Sequence, residues 1–237
     1  LVFLAFWTVF LLFYLLEATG PNAIYRRDNP ESLGNLGEPA YWFYAIAFLV
    51  LALFLLSDGV TKERESGMFP LVGAKPIRRA NVLLAKLAAG GVVYVASFAV
   101  SLLPLLILAV TIGAPVLEMM ALLYLGPFLA LYAFLLGFGL LVGVASSSSK
   151  VAIGSAAGIY LPLFMMMRDG PMQLLYQSYP AAGVVASYTP FNVAHDATQV
   201  IVTGGQMPWG GLVATFLAGA ALCGAAFWLF SRQEVAK

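Results

Sequence analysis

Long apolar runs, bounded by charges or by Gly/Pro clusters, divide this chain into about six membrane spans. The first covers residues 1–16 and gives way to a polar loop, 17–40, rich in Gly, Pro and Asn. A second apolar run, 41–57, is followed by a charged segment, 58–81. The third run, 82–112, contains Pro104, which predicts a kink that neighbouring helices must accommodate. Gly113 to Pro115 makes a turn, the fourth run covers 118–145, and Ser146 to Lys150 is a short connector. The fifth covers 151–167, a semi-apolar connection occupies 168–208, and the sixth covers 209–230. Residues 1–16 are shorter than the about 20 that a crossing helix needs. They also lack the basic stretch and cleavage site of a signal peptide, so they are expected to belong to a first helix that starts upstream of Leu1.

Composition agrees with lipid as the main solvent. The 237 residues are 62% hydrophobic and 10% charged, with a mean hydropathy of +0.92, whereas a soluble domain is about half apolar and about a quarter charged. A net charge of +1 gives no electrostatic footprint for nucleic acid. The basic residues divide unequally between the two sides. Lys62, Arg64, Lys75, Arg78, Arg79, Lys86, Lys150, Arg232 and Lys237 fall on one side, and only Arg26, Arg27 and Arg168 fall on the other. The positive-inside rule therefore predicts a multi-pass membrane protein with both termini cytoplasmic, and the plasma (inner) membrane is its expected location. Tyr41, Trp42, Tyr44, Trp209 and Trp228 at the borders fit interfacial belts.

The spans carry little chemistry. Ion-coupled carriers hold an ionisable group at mid-membrane, and none of these runs has one there. Lys86, a turn inside the third run, can snorkel to the cytoplasmic interface, and Glu118 sits at the outer edge of the fourth. A voltage sensor is excluded because there is no Arg series. His195-Asp196 is the one His/Asp neighbourhood, and it is expected in the outer loop; a single histidine cannot build a two-histidine metalloprotease motif. No Gly-rich loop ending in Lys-Ser/Thr occurs, so the chain cannot bind and hydrolyse ATP by itself. No catalytic, cofactor-binding or metal-ligating residue is therefore expected. Cys223, the lone cysteine, excludes an internal disulfide and reads as a small buried hydrophobe. Gly139/Gly143 and Gly154/Gly158 form GxxxG spacings, for which packing within the bundle is favoured over a dimer seam. The apolar character of the spans is what lipid demands and specifies no substrate.

The informative stretch is 58–86. Glu63 and Glu65 interleave with Lys62 and Arg64, and Met68, Phe69, Leu71 and Val72 follow where solvation alone would not require them. Such a mixture suits either a short helix lying against a partner or a solvated loop with interfacial anchors. An acidic-Arg-acidic-x-Gly motif, a short apolar stretch, Pro-x-x-Arg and an apolar run reaching Lys resemble the cytoplasmic loop of ABC-2 type permeases. These are the membrane subunits of type-2 ATP-binding cassette exporters. The matching positions are Glu63, Arg64, Glu65, Gly67, Leu71, Pro76, Arg79, Leu83, Leu84 and Lys86. Thr189-Pro190-Phe191-Asn192 with 199–205 resembles the family's outer segment before the last span, and Trp228-Leu-Phe-Ser-Arg232 resembles its closing aromatic-basic signature. Met68-Phe69-Pro70 departs from the family's usual Thr-Leu-Glu, and Pro70 can shorten or break a helix there. The family's amphipathic helix ahead of the first span is not among these residues.

The resemblance implies an all-α polytopic membrane protein like the ABC-2 exporters. It would be a single transmembrane domain, 1–237, of six transmembrane helices with a cytoplasmic coupling helix in 58–81 and an outer re-entrant segment in 168–208. Pro180, Gly183 and Pro190 in the outer segment fit chain dipping into the outer leaflet while shielded by protein. The coupling helix implies a separate ATPase subunit that binds ATP and Mg and contacts Lys62, Glu63, Arg64, Glu65, Gly67, Phe69 and Leu71, with Glu63, Arg64 and Glu65 as the chief polar contacts. A second permease copy or a homologue would complete the pathway, with the lipid bilayer around it. The principal expectation is thus an exporter permease without an ATP site of its own. Against it stand an ATPase-linked complex that passes mechanical change or a signal to an outer partner, and an unrelated polytopic enzyme or channel.

Overall fold

The computed structural model describes residues 58–66, 80–112, 125–165, 177–203 and 205–232. Outside them lie the runs at 1–16 and 41–57, the loop 17–40, the stretch 67–79 with Gly67, Phe69 and Leu71, residues 113–124 with Glu118, and 166–176 with Arg168. The described chain forms helices α1 (Asp58–Glu65), α2 (Ala80–Ile112), α3 (Leu125–Ala145), α4 (Ser149–Met165), α5 (Pro180–Ser187), α6 (Pro190–Thr203) and α7 (Trp209–Arg232). In hydrocarbon each backbone N–H and C=O must be satisfied within its own segment, so apolar runs of this length become helices. Gly126–Ala145 and Trp209–Arg232 are long and apolar enough to cross a membrane. At the helical rise, about 20 residues reach about 30 Å, the thickness of the hydrocarbon core. The helical path of α2 continues through Pro104 to Ile112.

Helix α3 is the hub, packed against α7, α6, α4, α1 and α2. Its largest interface is with α7. Helix α7 buries one stripe, Leu212, Thr215, Gly219, Ala226 and Phe230, whose spacing of three to four residues (or a multiple) keeps it on one face. Val213, Phe216 and Leu217 point away from the bundle. A cluster of Ala130, Val193, Ala197 and Leu212 joins the starts of α3 and α7 to α6. Further along, the α3 backbone around Ala133 and Gly137 meets α7 at Gly219, so these two helices run parallel.

Lipid tails are as apolar as leucine, so contact between spanning helices depends on close packing and on interhelical hydrogen bonds. Both are present. A Cβ on Gly137 would fall on the Gly219 carbonyl oxygen and within 3.1 Å of the Leu222 Cβ, and a Cβ on Gly219 would stand 2.6 Å from the Phe134 nitrogen. The Tyr132 hydroxyl donates to the Gly90 carbonyl of α2 at 2.6 Å. The Tyr160 hydroxyl of α4 donates to the Leu135 carbonyl of α3 at 2.6 Å. Tyr94 stacks on Tyr132 with ring centres 4.3 Å apart, and Phe138 meets Tyr160 edge-on at 5.0 Å.

The GxxxG spacings divide. Gly139 and Gly143 are buried, whereas Gly154 and Gly158 are exposed, with nothing within 4 Å of an added Cβ. Packing of the second pair inside the bundle is therefore not seen among the described residues. Helix α4 turns Ala152, Ala156 and Tyr160 inward, and residues two positions away lie about 200° around the helix.

At the opposite end of α3 from its junction with α4, α5 and α6 form a locked corner. Prolines are tolerated in a first turn, where the N–H has no intrahelical partner, and Pro180 and Pro190 open the two helices. The fully buried Asn192 donates to the Ala186 carbonyl at 2.7 Å and to the Thr189 hydroxyl at 3.1 Å. Thr189 donates in turn to the same carbonyl at 2.8 Å. His195, expected in a loop, is instead a buried residue of α6, with Nδ1 3.8 Å from Asp196 Oδ1. The reason is local: after Pro190 no Gly or Pro interrupts the chain until Gly204. Gly205 then takes a φ of 151°, a conformation left to glycine.

Candidate functional site

The charged helix α1 sits at the end of the bundle where α3 hands over to α4. Its sequence, DGVTKERE, has too little apolar surface to be a core helix, yet Val60 and Thr61 are fully buried. Lys62 and Glu65 are exposed and Glu63 is half-buried. The helix is closed by Ser66, whose backbone N–H donates to the Lys62 carbonyl at 2.9 Å and whose hydroxyl donates to the Glu63 carbonyl at 3.1 Å.

Two carboxylates tie α1 to the rest of the chain. Lys86 Nζ of α2 meets Glu63 Oε1 at 2.7 Å, with the side chains 19% and 36% exposed respectively. The cation that the sequence has snorkelling from the third run thus ends on α1. The Ser149 backbone N–H, the first of α4, donates to Glu65 Oε1 at 2.9 Å. The first N–H groups of any helix lack intrahelical acceptors, and its N-terminus favours negative charge. Helix α4 has no acidic residue in its first turn and carries Lys150 there. Ser148 Oγ serves one donor, the Val151 N–H, at 3.3 Å, and Glu65 supplies the missing anion from 84 positions away.

Such contacts are individually modest. A solvent-reached ion pair contributes about 0.2–1 kcal/mol, and a side-chain cap contributes about 0.5–2 kcal/mol. That sum is enough to fix the position of α1. It is too small to hold the bundle, whose close packing lies along α3 and α7.

Of the residues singled out by sequence, Lys62, Glu63 and Glu65 come together on α1. Arg64 contributes its backbone to the same helix, and its side chain is outside the described residues, as are Gly67, Phe69 and Leu71. The contacts of Lys86 and Ser149 with this helix were not assigned from sequence. One signal for the first was a lysine placed a turn inside an apolar run. A signal for the second was an N-cap serine followed by lysine with no acid in the first turn. Among the described residues no cluster of His, Cys, Asp or Glu could hold a metal ion.

No curated protein matches this chain. The family described as ABC-2 family transporter protein matches residues 4–235, nearly the full length. Apolar helices packed around a hub, matched over that extent, place the protein in a membrane, and the chain belongs to the ABC-2 family as a membrane permease of ABC-type transporters.

Proposed function

We propose that this permease is the membrane half of an exporter driven by a separate ATPase subunit, which docks on α1 and the residues that follow it. What supports the reading is a charged helix at the end of an apolar bundle, bonded to two of its helices and exposing Lys62. A membrane subunit without an ATP site can be driven only through an element that meets the engine and continues into the spans. Lys62, Glu63, Arg64, Glu65, Gly67, Phe69 and Leu71 form the coupling element in this reading. ATP and Mg are bound by the partner. The chain crosses the plasma membrane about six times, with both termini and α1 cytoplasmic and with α5 and α6 in the outer re-entrant segment. A second copy or a homologue supplies the other half of the pathway.

The test is capture of the tagged permease from its native membrane, followed by ATP-dependent movement of material in inverted vesicles. An ABC ATPase in the captured complex, together with ATP-dependent accumulation, is the expected result. Capture without an ATPase would sink the proposal. ATP hydrolysis with no accumulation would instead favour a complex that transmits mechanical change to an outer partner.

A further inference from the structure

Glu63 and Glu65 stand two positions apart on α1, and that spacing sends them to different flanks, because two helical residues differ by about 200° around the axis. One flank meets α2 through Lys86 at 2.7 Å. The other meets the first turn of α4 through the Ser149 N–H at 2.9 Å. Fully buried Val60 and Thr61 occupy the side against the bundle, and α1 also touches the hub helix α3. The Lys86 ammonium crosses one turn of α1, since a Cβ on Gly59 would lie 3.5 Å from Lys86 Nζ. Lys62 is left on the open side. A helix held on opposed flanks resists rolling about its own axis, so a displacement applied to its open side carries both tethered helices along.

We propose that Glu63 and Glu65 are positioning residues that clasp α1 to the start of α2 and to the start of α4, so that the three move as one body. This rests on α1 being the element that faces the ATPase. It reassigns the two carboxylates from contacts with the partner to contacts within the chain, and it makes Lys86 and the Ser148–Lys150 turn part of the transmission path. Glu65 acts as an anionic cap supplied from another helix, and Glu63 as half of an ion pair whose polarity can be exchanged.

The clasp is tested with nitroxide labels at Ser66→Cys and Val151→Cys in a Cys223→Ala background. Both label sites are exposed, and the protein is studied in lipid nanodiscs by pulsed electron–electron distance measurement. The permease alone is expected to give one narrow distance. Glu65→Ala and Lys86→Ala broaden it, Glu65→Gln keeps it narrow because its amide oxygen still accepts the Ser149 N–H, and Glu63→Lys with Lys86→Glu restores what Glu63→Lys alone loses. A distribution that stays narrow in Glu65→Ala and Lys86→Ala, or a charge exchange that restores nothing, overturns the clasp.

In the complex with its ATPase, MgATP–vanadate leaves this distance unchanged in the native chain while altering the emission of a bimane at exposed Val184→Cys on α5. Glu65→Ala loses the bimane response per ATP turned over, and Glu65→Gln keeps it. A role in stability alone would lower the yield of folded protein without separating turnover from response. Full response in Glu65→Ala overturns the transmission role. A native chain that captures no ATPase overturns the permease proposal itself, while the distances in the permease alone still judge the clasp.

Discussion

Replacing Gly219 with alanine tests the closest helix contact in the bundle. The added Cβ would stand 2.5 Å from the Ala133 carbonyl carbon and 2.6 Å from the Phe134 nitrogen. Ordinary contact begins at 3.4 Å, so clearing these atoms and the still nearer Ala133 carbonyl oxygen separates α3 and α7 by about 1 Å. Both obstacles are backbone, and no side-chain rotation relieves them. A gap of about 0.5–1 Å forfeits about a quarter to a half of each van der Waals contact flanking the crossing, and overpacking of this kind costs about 1–3 kcal/mol. Alanine recovers about 0.5–1 kcal/mol of helix propensity, so the midpoints of the two ranges leave a net loss of about 1.3 kcal/mol. For a chain of this size that corresponds to a fall of about 3–5 °C in apparent Tm, readable by heating detergent-solubilised protein and following the monodisperse fraction by size-exclusion chromatography. Gly158→Ala is the control, because nothing lies within 4 Å of its Cβ, and it should melt at or slightly above the native temperature. Gly219→Ala melting at or above the native temperature would refute the contact.

The other contacts give smaller, separable outcomes. Tyr132→Phe removes the hydroxyl that binds the Gly90 carbonyl and should destabilise by about 0.6 kcal/mol, and by no more than about 1.7 kcal/mol, as hydrogen bonds between membrane helices do, read in the same melting assay. Asn192→Leu deletes both donations at the α5–α6 corner; at about 0.5–1.5 kcal/mol per bond, hydrogen exchange should rise locally around residues 186–193 while α3 stays protected. Lys62→Glu reverses a charge on the open side of α1 and should weaken capture of the ATPase without broadening the Ser66–Val151 distance distribution. Loss of that narrow distance would move Lys62 from the docking face into the clasp.

Much of the architecture was legible because lipid leaves a chain few choices. An apolar run of about 20 residues bounded by charge has to be a helix, and the runs at 82–112, 118–145, 151–167 and 209–230 overlap α2, α3, α4 and α7. Which face of each helix would be buried was harder to read. When every side chain is apolar, hydrophobicity does not separate the side against lipid from the side against a neighbour, so the GxxxG spacing pointed to Gly154 and Gly158, whereas the close backbone contact falls at Gly137 and Gly219, which belong to no such spacing. What separates the two pairs is where the third dimension brings another backbone. His195 was placed in a loop on its polarity, whereas an unbroken stretch after Pro190 carries it into a helix and buries it. The acidic pair on α1 stood out by its charges, but its partners lie 23 and 84 positions away. One of them is a backbone N–H, which no residue identity announces.

The hub helix α3 links the two ends of this arrangement. Near its C-terminal end it meets α1 and hands over to α4, whose first N–H is held by Glu65. Near its start it joins α6 and α7 in the cluster of Ala130, Val193, Ala197 and Leu212. Between these ends the α3 and α7 backbones touch at Gly137 and Gly219, and close-packed interiors compress little. On the proposed mechanism a push on α1 is therefore not absorbed along α3, but tilts the α3–α7 pair as a unit and is felt at α6. The corner between α5 and α6, tied by Asn192 and Thr189, then turns with the pair instead of unfolding. On the proposed mechanism this predicts that weakening the Asn192 tie leaves ATP turnover and the Ser66–Val151 distance untouched while reducing the nucleotide response at Val184. Weakening the clasp removes the same response from the opposite end, with the distance broadened. If the Asn192 and Glu65 variants instead failed together in every readout, the two ends would not be joined by a rigid pair, and α3 would have to bend.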